Sequence, residues 1–227
     1  PEIIIGRRAG KSWITWIGNS QQPHFSQTRV ERSNLTLDFG GSSISEEAWK
    51  DRVDQAVSRI KKGELEKVVL ARDINVQSAT EISKEGLLQR LEDGYPTTWV
   101  FLVENLIGAT PELLVRLSKS LVTSRVLAGT IKKTGDEAKD LTLAATLAKS
   151  SKDLEEHEYA VRSVADALAP FCSSTNVPDA PFVLYLSNVM HLATDVTGAI
   201  KEGHKVIDIF SILSKLHPSA AVCGTPT

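Results

Sequence analysis

Only two cysteines occur in the 227 residues, Cys172 and Cys223, and they form no CxxC pair, so the sequence offers neither a disulfide framework nor a zinc site. A reducing, cytoplasmic setting fits that scarcity. An excess of one charge is also missing: 26 lysines and arginines against 28 aspartates and glutamates leave a net charge of −2. Nucleic-acid and anionic-membrane binding ordinarily use a basic excess. Long hydrophobic runs are lacking too, since VVLA after Lys67 and FVLYL from Phe182 fall far short of the ~20 residues of a membrane helix. The opening PEIIIGRR matches neither a signal nor a transit peptide and reads as a start inside a larger fold. What remains is an ordinary globular composition, 41% hydrophobic and 24% charged, with no internal repeat and a length that one large domain can fill. The expectation is a soluble monomer that acts on a small molecule, with no nucleic-acid or membrane partner.

Several common motifs fail on spacing. GRRAGKS, starting at Gly6, has three residues between its glycines where a Walker A loop has four, and a strand pattern follows it. Glu156-His157 lacks the second histidine of HExxH, because the residue four positions after His157 is Val161. No G-x-G-x-x-G, G-x-S-x-G or kinase-type motif occurs.

Residues 2–7 and 12–17 are β-branched and aromatic around Arg8-Ala9-Gly10-Lys11, which predicts a hairpin. Ser45 precedes Val53, Ala56, Val57 and Ile60 at helical spacing, with Gly63 just beyond, so a capped amphipathic helix is expected. A strand over 65–72, a helix near 82–92 and an antiparallel meander over 98–126 follow. Two successive helices come next, the second (151–169) with Leu154, His157, Val161, Val164, Ala165 and Leu168 on one face. Strands return at 182–200, and a last helix carries Val206, Ile209, Phe210 and Leu213. Strands in blocks favour α+β architecture with largely antiparallel sheets over a doubly wound parallel sheet.

Four places could carry chemistry. Lys67 shares a strand face with Val69 and Ala71, so it is either a strand-end lysine snorkelling to water or a desolvated amine able to act as a base. Glu112 follows Thr110-Pro111, which either turns the chain between two strands or begins a helix. LAGT puts Gly129 at a strand end, where the backbone could approach a ligand or merely bend. SKDLEEH places Asp153, Glu155 and Glu156 in the first turns of a helix, where its dipole favours carboxylates in any case.

Taken in order, KVVLAR, IGATPELLVR, LAGT, SKDLEEH, MHLATDVTG and LHPSAAVCGTP resemble the chorismate-utilising enzymes from about residue 45 to 227. That family includes isochorismate synthase, salicylate synthase and the large subunits of anthranilate and aminodeoxychorismate synthases. The resemblance implies antiparallel sheets layered together and wrapped by helices, forming a single chorismate-binding domain over residues 1–227 that lacks the family's C-terminal segment. Members that add ammonia carry another residue at the KVVLAR position, whereas members that activate water carry lysine, as this chain does at Lys67. Water must lose a proton as it attacks C2 of chorismate, which ammonia need not.

The implied activity is that of an isochorismate synthase, with Lys67 as general base on water and Glu112 as general acid for the departing C4 hydroxyl. The resemblance further implies Glu156 as a ligand of Mg2+, and a substrate wall from Gly129, Thr130, His191 and Ala193. Menaquinone or siderophore biosynthesis is the implied setting. His217 and Cys223 shape the chain near the pocket with no chemical step, and His24 and His204 are expected at the surface. Past LHPSAAVCGTP, members of the family continue with an arginine, a second magnesium-binding glutamate and a lysine, none of which lies within the 227 residues. A salicylate synthase with the same acid and base, or a non-catalytic chorismate-binding protein, are the alternatives.

Overall fold

The computed structural model describes residues 3–8, 10–18, 36–201 and 209–226. His24, His204 and Val206 lie outside the described residues. The chain forms two compact units, residues 1–32 and 33–227. In the first, β1 (Ile3–Arg8) and β2 (Lys11–Trp16) pair antiparallel as the expected hairpin, with Gly10 at φ +76° in the turn.

The second unit begins β3 (Leu37–Phe39), α1 (Glu46–Lys61), β4 (Lys67–Val68), β5 (Val76–Ser78), α2 (Lys84–Gly94), β6 (Trp99–Val103), β7 (Leu106–Thr110) and β8 (Leu113–Ser118). It continues β9 (Leu121–Lys132), α3 (Glu137–Lys149), α4 (Ser151–Leu168), a single 3-10 turn, β10 (Cys172–Asn176), β11 (Phe182–Tyr185), β12 (Val189–Ile200), α5 (Ile209–Leu216) and β13 (Gly224–Thr225). All strand pairs among the described residues are antiparallel, which gives the α+β class that the strand blocks predict.

Two 12-residue strands, β9 and β12, form the spine of a five-stranded sheet, with β8 beyond β9 and with β10 and β11 sharing the far edge of β12. Period-two alternation sends Val122, Val126 and Ala128 of β9 and Val196 of β12 to one face. There they meet Ala160, Val164 and Leu168 of α4, which recur at helical spacing. Leu168 is fully enclosed, a burial worth roughly 1.5–3 kcal/mol. Next to it, Ala144 and Leu147 of α3 cover Met190 and Leu192. Ser150 caps α4 by accepting the Asp153 N–H at 3.3 Å.

Three expectations need correction. The meander over 98–126 is two separate hairpins: among the described residues β6 pairs only with β7, and β8 joins β9 in the main sheet. Pro111, which has no N–H to give a ladder, stands at the break. The strand expected over 65–72 pairs only at Lys67 and Val68, because its partner β13 is two residues long. Phe210 is 69% exposed, whereas Ile212 and Leu216 are the buried residues of α5. Among the described residues no helix is long and apolar enough to cross a membrane.

Candidate active site

Lys67 is 8% exposed, so it does not snorkel to water. Its Nζ donates to the Ala220 carbonyl and stands 3.9 Å from a carboxylate oxygen of Glu156. Burial pulls the amine below its usual range, and the charge of the Glu156 carboxylate acts the other way. The backbone around it is held by the returning C-terminal segment: Glu66 N–H donates to Thr225 O at 2.9 Å, and Val69 N–H to Cys223 O at 2.6 Å. A Cβ at Gly224 would lie 2.6 Å from the Lys67 carbonyl oxygen, so only glycine lets β13 run this close.

Glu112 sits between β7 and β8 and starts no helix, which decides for the inter-strand turn at Thr110-Pro111. Its N–H donates to Thr110 Oγ1 at 3.2 Å. The half-buried side chain is pushed above the usual carboxyl range by desolvation, while a hydrogen bond from the Leu127 backbone acts the other way. Leu127 opens the LAGT stretch, so Glu112 and Gly129 belong to the same short part of the sheet.

On α4, Glu156 turns toward Lys67 and Glu155 is exposed, as the ~100° between neighbouring helical positions requires. The next residue, His157, carries information that the sequence did not yield. Its Nδ1 lies 3.1 Å from the Ala128 carbonyl, an acceptor, so that nitrogen carries the proton, and Nε2 accepts from Thr194 Oγ1 at 2.7 Å. Burial lowers its pKa and so favours this neutral form. One imidazole thereby ties the helix bearing Glu156 to both β9 and β12. The only sequence signal for this was a histidine on an apolar helix face, with nothing to show its two partners.

Gly129 has φ +78° where the β9–β12 register shifts, a bulge that glycine accommodates. A Cβ there would come within 3.1 Å of the Asp153 Cβ, so the residue also lets α4 approach the strand. Thr130 and His191 face each other across the strands, with Thr130 Oγ1 2.9 Å from His191 Nδ1. Burial pulls the His191 pKa down, and its bond to the Gly129 backbone opposes that. Ala193 is fully enclosed and opposes Leu127 and Phe182 in register. Cys223 carries a free, half-buried thiol, and its backbone carbonyl accepts the Val69 N–H, just past Lys67 of β4.

Magnesium takes carboxylate and water oxygens in a near-octahedral shell. Among the described residues no group of three or more His, Cys, Asp or Glu is placed to hold a metal ion. Glu156 brings a carboxylate beside Lys67, which fits one ligand of magnesium, and the described residues do not complete its shell.

The α+β fold of antiparallel strands and helices thus carries an enclosed lysine on β4 and a carboxyl raised by burial between β7 and β8. The family model for chorismate binding enzymes matches residues 10–227, and the chain belongs to that family. The isochorismate synthase DhbC of Bacillus subtilis is 34% identical over 192 residues, covering 80% of this chain and 48% of that protein. The salicylate biosynthesis isochorismate synthase of Pseudomonas aeruginosa is 32% identical over 204 residues, covering 87% of this chain and 42% of that protein. The crystal structure of DhbC from Bacillus anthracis superposes with a TM-score of 0.79 at 34% identity, covering 95% of this chain and 56% of that one. The chain thus spans about half the length of the curated relatives it matches.

Proposed function

We propose that this chain supplies the acid and base of an isochorismate synthase. The observation that carries the proposal is Lys67, an enclosed lysine whose amine burial favours in the neutral form, standing in the KVVLAR motif. Glu112 is pushed in the opposite sense, toward the protonated carboxyl. Burial moves the lysine down and the carboxyl up, both toward neutral pH, where a neutral amine can take a proton and a protonated carboxyl can give one.

The Lys67 amine takes a proton from water as the water oxygen bonds to C2 of chorismate. The ring's conjugated double bonds shift, and the C4 hydroxyl departs with the proton of Glu112. One water enters and one leaves, so the net change is an isomerisation. Thr130 on β9 and His191 on β12 form the wall against which the ring lies, with Gly129 and the enclosed Ala193 backing it. Glu156 would supply one carboxylate ligand to a magnesium ion, whose charge would hold the substrate's own carboxylate. The relatives named as isochorismate synthases support this assignment.

The test is Lys67→Ala in the full-length protein, assayed with chorismate and magnesium and with isochorismate and salicylate both measured. Loss of a general base should lower turnover by about 10²–10⁴-fold, with a smaller effect on KM. Turnover near the wild-type value would refute the base assignment, and salicylate as the main product would refute the isomerase.

A further inference from the structure

The segment from Ser219 to Thr225 does more than close the fold over Lys67. Lys67 Nζ donates to the Ala220 carbonyl, and both backbone polar atoms of Ala220 are engaged. Its N–H donates to Ser163 Oγ at 3.2 Å, and the following N–H, that of Ala221, donates to Ser219 Oγ at 3.3 Å. The Ser219 carbonyl accepts the N–H groups of Val222 at 3.1 Å and Cys223 at 3.0 Å, which closes a compact turn. Ala220 is fully enclosed and Ser219 nearly so.

Ser163 stands seven residues after Glu156 on α4, two turns along the same helix face. That face therefore reaches Lys67 twice, directly through the Glu156 carboxylate at 3.9 Å and indirectly through Ser163 and Ala220. We propose that Ser163 is a positioning residue for the Lys67 amine, acting through Ala220. This rests on the assignment of Lys67 as the base.

The physical reason is directional. A neutral amine has two N–H groups and one lone pair, and only the lone pair can take a proton from water. A carbonyl can only accept, so the Ala220 oxygen always holds an N–H and never the lone pair. The Glu156 carboxylate likewise attracts an N–H. With its two N–H groups drawn to these two acceptors, the lone pair is left to the remaining tetrahedral direction, where water must come. An Ala220 carbonyl free to swing would let the amine turn and would spread the lone pair over unproductive orientations. Ser163 anchors Ala220 by its N–H to the rigid helix that also carries Glu156, while the Ala221 N–H, in the same peptide plane as the Ala220 carbonyl, is held by Ser219 Oγ, so the carbonyl keeps its direction only while both holds are in place.

The experiment compares Ser163→Ala, Ser163→Thr and Lys67→Ala, with the double variant of Ser163→Ala and Lys67→Ala, all in the full-length protein. Ser163→Ala should lower kcat about 10- to 100-fold, the scale of a small misplacement of a reacting group, with KM within about twofold. Ser163→Thr keeps the hydroxyl and should recover most of the lost turnover. In the Lys67→Ala background, Ser163→Ala should cost nothing further, because two residues acting as a unit are not additive. Hydrogen exchange at the Ala220 amide should quicken in Ser163→Ala and not in Ser163→Thr. If Lys67→Ala is inactive but Ser163→Ala keeps wild-type kcat, or if the two losses simply multiply, the positioning role is refuted while the base assignment stands. If Lys67→Ala itself turns over normally, the base assignment falls and takes this role with it.

Discussion

Two helices of similar length, α1 and α4, meet different fates. Both are amphipathic in sequence and both are capped by serine, Ser45 accepting from the Ala48 N–H at 3.1 Å and Ser150 from Asp153. On α4 the apolar face is buried at Ala160, Val164 and Leu168. On α1 no residue is buried, and Val57 and Ile60 are 43% and 37% exposed. Local signals hold α1 together: Glu46 and Glu47 in its first turn, Arg59 and Lys61 in its last, the Lys50–Glu46 ion pair, and Gly63 at φ +74° beyond its end. Burial against the sheet holds α4. Amphipathic spacing thus identifies the face that can be covered, but whether it is covered depends on the rest of the fold.

The largest effect follows from that contrast. Leu168→Ala should cost about 2–5 kcal/mol of stability, since it opens a cavity where α4 meets β9 and β12. Urea unfolding measures it. A loss below about 1 kcal/mol would mean that the layer relaxes around the missing side chain, and the distinction between a buried α4 and an uncovered α1 would lose its energetic meaning.

The same contrast decides what could be read from sequence. Elements fixed by nearby residues were legible: the hairpin around Gly10, the caps of α1 and α4, and the antiparallel α+β class. Elements fixed by distant partners were not. β4 is short because its partner β13, more than 150 residues away in sequence, is only two residues long, and the two hairpins of 98–126 separate because β8 pairs into a sheet completed by β12. At the site, the family motifs singled out Lys67, Glu112 and Glu156, and the structure encloses the first and half-buries the other two. The groups that hold them were hidden. His157 has partners in two strands, Ser163 meets a backbone amide far along the chain, and Gly224 is required by a carbonyl on another strand. Backbone partners leave no residue type to recognise.

Charge extends the comparison and gives it opposite signs. Burial raises the carboxyl of Glu112 above its ordinary value of 4.5, so the folded chain keeps a proton that the unfolded chain has already released. The stability tied to that proton is fully present below the ordinary carboxyl range and is lost as pH rises through the folded pKa. At neutral pH Glu112→Gln should therefore raise the melting temperature, and the gain should disappear as pH falls below about 4.5. Glu46 on α1 is exposed, and its carboxyl is lowered by its hydrogen bond and ion pair with Lys50. Glu46→Gln should then lower the melting temperature slightly at neutral pH, and thermal scans of both variants across pH test the pair. A fall in melting temperature for Glu112→Gln at neutral pH would show that its hydrogen bond from Leu127 outweighs its desolvation.

The smallest effect is expected at Ile60. Its truncation to alanine removes the same class of aliphatic group as Leu168→Ala, but from a side chain that is 37% exposed on a helix with no buried residue. Little transfer free energy is lost and no closed cavity forms. Alanine also has the higher helix propensity, by up to about half a kcal/mol over isoleucine, which offsets part of the loss. The change should stay within about 0.5 kcal/mol of zero, the range of surface substitutions away from caps and buried polar groups. Urea unfolding of Ile60→Ala beside Leu168→Ala measures both on one scale. If Ile60→Ala costs as much as Leu168→Ala, the apolar face of α1 is covered in solution, and its burial would have to be assigned to a contact other than those made by α4.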